Sequence, residues 1–146
     1  MFKVTLPAVF FAVALAAIPA RGQGPGPACL EYEPATVTVT GVIHRMLFPG
    51  PPEYSSVEEG DMPLWNWILF LEKPVCVNAR PVDTLYEEEY GVMRMQLAPV
   101  YMDNMSERYK NVLGKRVAVK GELYHSHTGC HVTKVLIMPR SIMLAK

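Results

Sequence analysis

From residue 36 to 40 the chain reads Thr-Val-Thr-Val-Thr, so apolar and polar positions alternate with a period of two. That spacing predicts a half-buried strand with hydroxyls on its outer face, because successive strand side chains point to opposite faces. Val42 and Ile43 extend it past Gly41, a residue type that weakens or bulges a strand. From Phe48 to Pro63 four prolines and two glycines exclude regular structure. A loop of this length in a compact domain is often functional. The aromatic-rich run from Trp65 to Leu71 predicts a core strand, ended by Lys73-Pro74 and continued past that break by Val75-Cys76-Val77. Ala79 to Tyr90 is polar and acidic and reads as a solvated connection. Val92 to Leu97 alternates again, with Met93, Met95 and Leu97 on one side and Arg94 and Gln96 on the other.

A helical period appears once. Met105, Tyr109, Val112 and Leu113 recur at i, i+4, i+7 and i+8, with Asp103 placed to cap the helix and Gly114 to stop it. Arg116 to Leu123 and Val132 to Met138 then predict two more strands, the last ending before Pro139. The order is strand, long loop, strand, strand, helix, strand, strand. It predicts a mainly β fold over residues 34–144, an OB-like five-stranded barrel with one helix between strands three and four.

The chain has 146 residues, half of them apolar, enough for one ordinary domain. Its start is different in character. Lys3 is followed by an uncharged run from Val4 to Ala20, with small residues at Ala16, Ala17 and Ala20. Residues 1–20 read as a cleaved signal peptide and 21–33 as a Gly/Pro-rich linker. The expected location is periplasmic or secreted, with no stable membrane span after cleavage. Basic and acidic residues balance at 14 each, which gives no electrostatic footprint for phosphate backbones and argues against nucleic acid as a partner. Three cysteines remain, Cys29, Cys76 and Cys130, and in an oxidising compartment two should pair. A Cys29–Cys76 bridge would tie the start of the domain to its second strand, but sequence alone permits all three pairings.

In an OB architecture the loop between strands one and two and the loop between strands four and five flank the ligand face. The first of these is the proline-rich segment, with Phe48, Tyr54 and Trp65 as ligand-binding candidates. The second is Tyr124-His125-Ser126-His127-Thr128-Gly129-Cys130-His131, with His125, His127 and His131. Imidazole and thiolate suit zinc and copper, so His125, His127, Cys130 and His131 form a candidate metal set. A two-residue turn at Thr128-Gly129 would face His127 with Cys130 and keep His125 on the same side. A three-residue turn from His127 to Gly129 would face His125 with His131 instead. The bland alternative is a set of exposed histidines that bind only water. The carboxylates Glu58, Glu59 and Asp61 read as a solvated loop face. No nucleophile elbow or phosphate-cradling glycine motif is present, and a Cys130–His pair is thin ground for a hydrolase, so no enzyme is expected. The leading expectation is a binding module for an unidentified envelope or extracellular ligand or protein. A zinc- or copper-binding envelope protein is the alternative.

Several segments together resemble the exported bacterial family called domain of unknown function 4431. They are Cys29-Leu30-Glu31-Tyr32, Phe48-Pro49-Gly50-Pro51-Pro52 with Tyr54, Gly60-Asp61, Lys73-Pro74-Val75-Cys76-Val77, Gln96-Leu97, Leu113-Gly114-Lys115, Gly121 and His125-x-His127-Thr128-Gly129-x-His131. The resemblance implies export, a Cys29–Cys76 bridge and a role for the histidine hairpin, and it implies no defined activity. Relatives typically read His-Ala-His-Thr-Gly-His-His-His at the hairpin, where this chain has Ser126, Cys130 and Val132. Two of the family's histidines are therefore missing.

Overall fold

The computed structural model describes residues 28–98 and 105–146. The signal-peptide reading of residues 1–20, the first part of the linker, the Asp103 cap and the Met105 side chain lie outside the described residues. The architecture is mainly β, five strands in one sheet with one short helix among the described residues. The strands are β1 (Thr36–Pro49), β2 (Pro63–Val77), β3 (Glu89–Leu97), β4 (Arg116–His125) and β5 (Val135–Leu144). The helix α1 (Met105–Tyr109) and a 3-10 turn (Lys110–Val112) lie between β3 and β4, as expected. No helix among the described residues is long and apolar enough to cross a membrane.

β1 pairs antiparallel with β2 along its second half and with β4 along its first. β2 pairs with β3, β4 with β5, and β3 meets β5 in a parallel contact at Gln96↔Leu136 and Leu97↔Ile137. The strands thus hydrogen-bond in a ring, β1-β2-β3-β5-β4 and back to β1. Its inner face carries Val39, Ile43, Trp67, Leu69, Met95, Leu97, Val117, Val119, Leu123, Val135 and Ile137, all buried. These positions alternate along each strand, as a two-residue period requires. Tyr109, Val112 and Leu113 pack half-buried against this core. Gly114 ends the segment at φ +71°, a conformation that suits glycine.

Every strand runs further than the apolar pattern suggested. β1 passes straight through Gly41, because a Cβ there would lie 2.1 Å from the Phe70 carbonyl oxygen of β2. Gly41 is therefore a point of close strand approach rather than a bulge. The irregularity falls in β2 instead, between Phe70 and Val75, where Pro74 lacks an N–H to donate. β5 begins at Val135, not Val132, and runs through Pro139, which pairs with Gly121 at a register shift. Residues 30–33, read as linker, pack onto the sheet: Leu30 N–H donates to the Cys76 carbonyl (2.8 Å) and Tyr32 is core. The acidic connection also ends sooner than expected, since Glu89 belongs to β3 and is buried. Cys29 and Cys76 are joined as a disulfide, and Cys130 is free and exposed.

Candidate functional site

The even-numbered residues of the central strands face outwards, and one row of them is nonetheless covered. Ile68, Gln96, Leu136 and Tyr124 are neighbours across β2, β3, β5 and β4, and all four are buried. The cover is the loop from Ser126 to Lys134, which folds back over this face. Neither tight turn expected for the histidine hairpin forms. β4 ends at His125 opposite Val135, and Ser126 N–H closes the loop on the Lys134 carbonyl (2.8 Å).

Gln96 fastens the loop from below. Its side-chain oxygen accepts the Val132 N–H (2.8 Å), and its amide nitrogen donates to the Cys130 carbonyl (3.3 Å) and to Asn66 Oδ1 (3.1 Å). Its own N–H donates to Thr133 Oγ1 (2.8 Å). Strand alternation marked Gln96 only as an outward polar residue. The sequence signal for it was its place among the family-like segments.

The proline-rich loop is organised by a carboxylate. Asp61, expected on a solvated face, is buried and accepts the N–H groups of Glu53 (2.8 Å), Ser55 (2.7 Å) and Ser56 (2.9 Å). These bonds, led by that of Glu53, outweigh desolvation and hold its carboxyl below the usual range. The loop they shape carries Tyr54 at φ +57°, a left-handed conformation rare for a bulky residue. Tyr54 meets the histidine loop there. A Cβ on Gly129 would lie 2.8 Å from its ring, and contact with the Cys130 thiol, followed by burial, pushes its phenol pKa up.

In the same loop His127 and His131 stand edge to face, centroids 4.7 Å apart, with Tyr124 against both. His131 Nδ1 accepts the His127 N–H (3.1 Å), so its hydrogen sits on Nε2 and the ring is neutral. Burial, then the neighbouring His127, lowers its pKa below the ordinary value, in keeping with that state. His127 Nδ1 faces the His125 carbonyl (3.2 Å), which leaves its Nε2 lone pair free. The rim thus offers an aromatic floor, an acceptor on His127, a donor on His131, a phenol and a thiol.

Two expected members stand elsewhere. Trp65 is exposed on the opposite face of the β1–β2 hairpin, its ring under the Arg45 guanidinium at 4.4 Å. His125 follows Leu123 on the inner face at the end of β4, because the chain leaves the strand before it could share a side with His127. Phe48, half-buried, lies on the outer face of β1 at the root of the proline-rich loop. His125, His127, Cys130 and His131 are therefore not gathered into one metal set.

His125 instead joins Glu87 and Glu89, with one ligand atom of each within 4.8 Å of the others. Its Nε2 is 3.1 Å from Glu89 Oε1 and its Nδ1 3.1 Å from the Ser126 carbonyl. Lys134 Nζ also lies 3.1 Å from Glu89. Burial would raise the Glu89 carboxyl, but the hydrogen bonds from His125 and Lys134 hold it below its ordinary value. Neither glutamate was singled out from sequence, because both sit in an acidic run that reads as solvent-facing.

No curated protein matches the chain. Residues 94–142, from the end of β3 through the histidine loop into β5, match the family described as Domain of unknown function (DUF4431).

Proposed function

We propose that the protein is an exported, non-enzymatic binding module on an OB-like barrel, and that its ligand docks where the proline-rich loop meets the histidine loop. The ring order, the parallel β3–β5 contact and the helix between β3 and β4 support the OB-like reading. The disulfide suits an oxidising compartment. The near-neutral charge favours a protein, peptide or small ligand over nucleic acid. One observation carries the proposal: Tyr54, held in a left-handed conformation, packs against Gly129, in the loop that also carries two histidines and a free thiol. Strain and polar groups that converge from distant segments are the ordinary features of a ligand site.

The test is a fragment and short-peptide screen followed by amide NMR. Hits should shift resonances of residues 48–63 and 126–131, and Tyr54→Ala or His127→Ala should weaken them about tenfold or more, a loss of about 1.4 kcal/mol. Hits that map elsewhere, or that ignore both substitutions, reject the proposal. Zinc and copper remain the alternative ligands of this rim, where His131 Nδ1 already accepts a backbone N–H, which leaves His127 and Cys130 as the free donors in the loop.

A further inference from the structure

We infer that Glu87, Glu89 and His125 form a binding site for a divalent transition-metal ion, with zinc the best fit. The site lies where the end of β4 meets the start of β3.

His125 is oriented by the backbone beside it. Its Nδ1 faces the Ser126 carbonyl, which can only accept, so Nδ1 carries a hydrogen. A metal-binding histidine is commonly fixed in this way, through its other nitrogen and a backbone carbonyl. The other nitrogen of His125, Nε2, faces a carboxylate oxygen of Glu89 3.1 Å away. Two acceptors that face each other need a cation between them, either a proton or a metal ion. Zinc bonds of about 2.0–2.2 Å place neighbouring donors roughly 3–3.5 Å apart, so this pair already has the required spacing. Glu87 is exposed, and one of its carboxylate oxygens already lies within the 4.8 Å spread of the group.

Charge points the same way. Lys134 compensates one carboxylate, but two are present, and its side chain is 74% exposed and free to leave. Tyr32 packs edge-on against His125 and donates to the Glu87 carbonyl, so aromatic walls hold the group in place. Glu89 and Lys134 also line a groove of about 390 Å³ between β3 and the end of the histidine loop. Mixed imidazole and carboxylate donors suit zinc, with manganese second.

The test is calorimetric titration of the full chain with zinc chloride and, separately, manganese chloride. One zinc per chain is expected. Glu89→Gln and His125→Gln should each weaken binding by about tenfold or more, the size of loss seen when a metal site is disturbed. Glu87→Gln, at an exposed position that folding does not need, should weaken it too and keeps the test decisive if either buried variant unfolds. Lys134→Met should tighten binding several-fold by removing a competing ammonium. The double variant His127→Ala/Cys130→Ser should bind as the wild type does. Absence of zinc binding overturns the inference, as does retention of full affinity by Glu87→Gln and Glu89→Gln. Weaker binding by Lys134→Met overturns it as well. Loss confined to His127→Ala/Cys130→Ser would place zinc in the loop instead. The rim proposal can fail in its NMR screen without affecting any of these outcomes.

Discussion

A carboxylate that accepts three backbone N–H bonds is favoured in its charged form, so Asp61 ties the stability of its loop to pH. Its pKa is lowered in the folded state from an ordinary 3.8, so the unfolded chain binds the proton more readily. The stabilisation is complete above the unfolded value and is lost as pH falls through the folded one. Asp61→Asn should lower Tm at neutral pH and flatten the acid limb of a Tm-against-pH curve below about pH 4. Scanning calorimetry across that range checks it, and an unchanged acid limb would mean that other carboxylates dominate. Gln96 belongs to the same scale. Gln96→Ala leaves the Val132 N–H without its acceptor in a covered position, at a cost of about 1–3 kcal/mol. Amide exchange should accelerate over residues 126–134 more than in β1 or β2, which hydrogen-exchange mass spectrometry can resolve.

Two strand glycines decide how closely neighbouring elements approach. A Cβ at Gly41 would fall 2.1 Å from the Phe70 carbonyl oxygen, and one at Gly121 2.2 Å from that of Met138. Backbone cannot step aside as a flexible side chain can, so Gly41→Ala and Gly121→Ala should each cost about 1–3 kcal/mol or more by overpacking. A chemical denaturation midpoint that does not move in either variant would contradict this. Period-two alternation made the five strands and the inward set legible, because one face of each is buried in the ring. It failed where burial has another cause. Gln96 and Asp61 are buried because they satisfy loop backbone, and a polar letter in sequence does not say which N–H groups will surround it. The end of β5 was missed because Pro139 sits at a register shift, where a missing donor does no harm. The histidine pattern was visible as a cluster. Its division into His125 on the inner side and His127 with His131 on the outer depends on the residue at which β4 stops, and no local signal marks that point.

At the scale of the molecule, the Cys29–Cys76 bond joins the segment before β1 to the end of β2, 47 residues apart. Loop closure of that span is worth roughly 2–4 kcal/mol on a chain-entropy account. The bond also has a local consequence. It anchors Leu30, which bridges to Val77, and through it Tyr32, whose ring fills the core beside Tyr86 and His125. Without the bond, the short contact of residues 30–33 with β2 is left to a few hydrogen bonds, chiefly Leu30 N–H to Cys76 and Asn78 N–H to Leu30. Reduction should therefore loosen this segment first, before the ring of paired strands opens. Dithiothreitol should lower Tm of the wild type by an amount that Cys29→Ser/Cys76→Ser reproduces without reductant, while Cys130→Ser leaves Tm unchanged because its thiol is free. In the reduced protein the Tyr32 ring should gain exposure and the amides of residues 30–33 should exchange early, with β1 and β4 still protected. Simultaneous exchange throughout would mean instead that the N-terminal segment and the ring unfold as one cooperative unit.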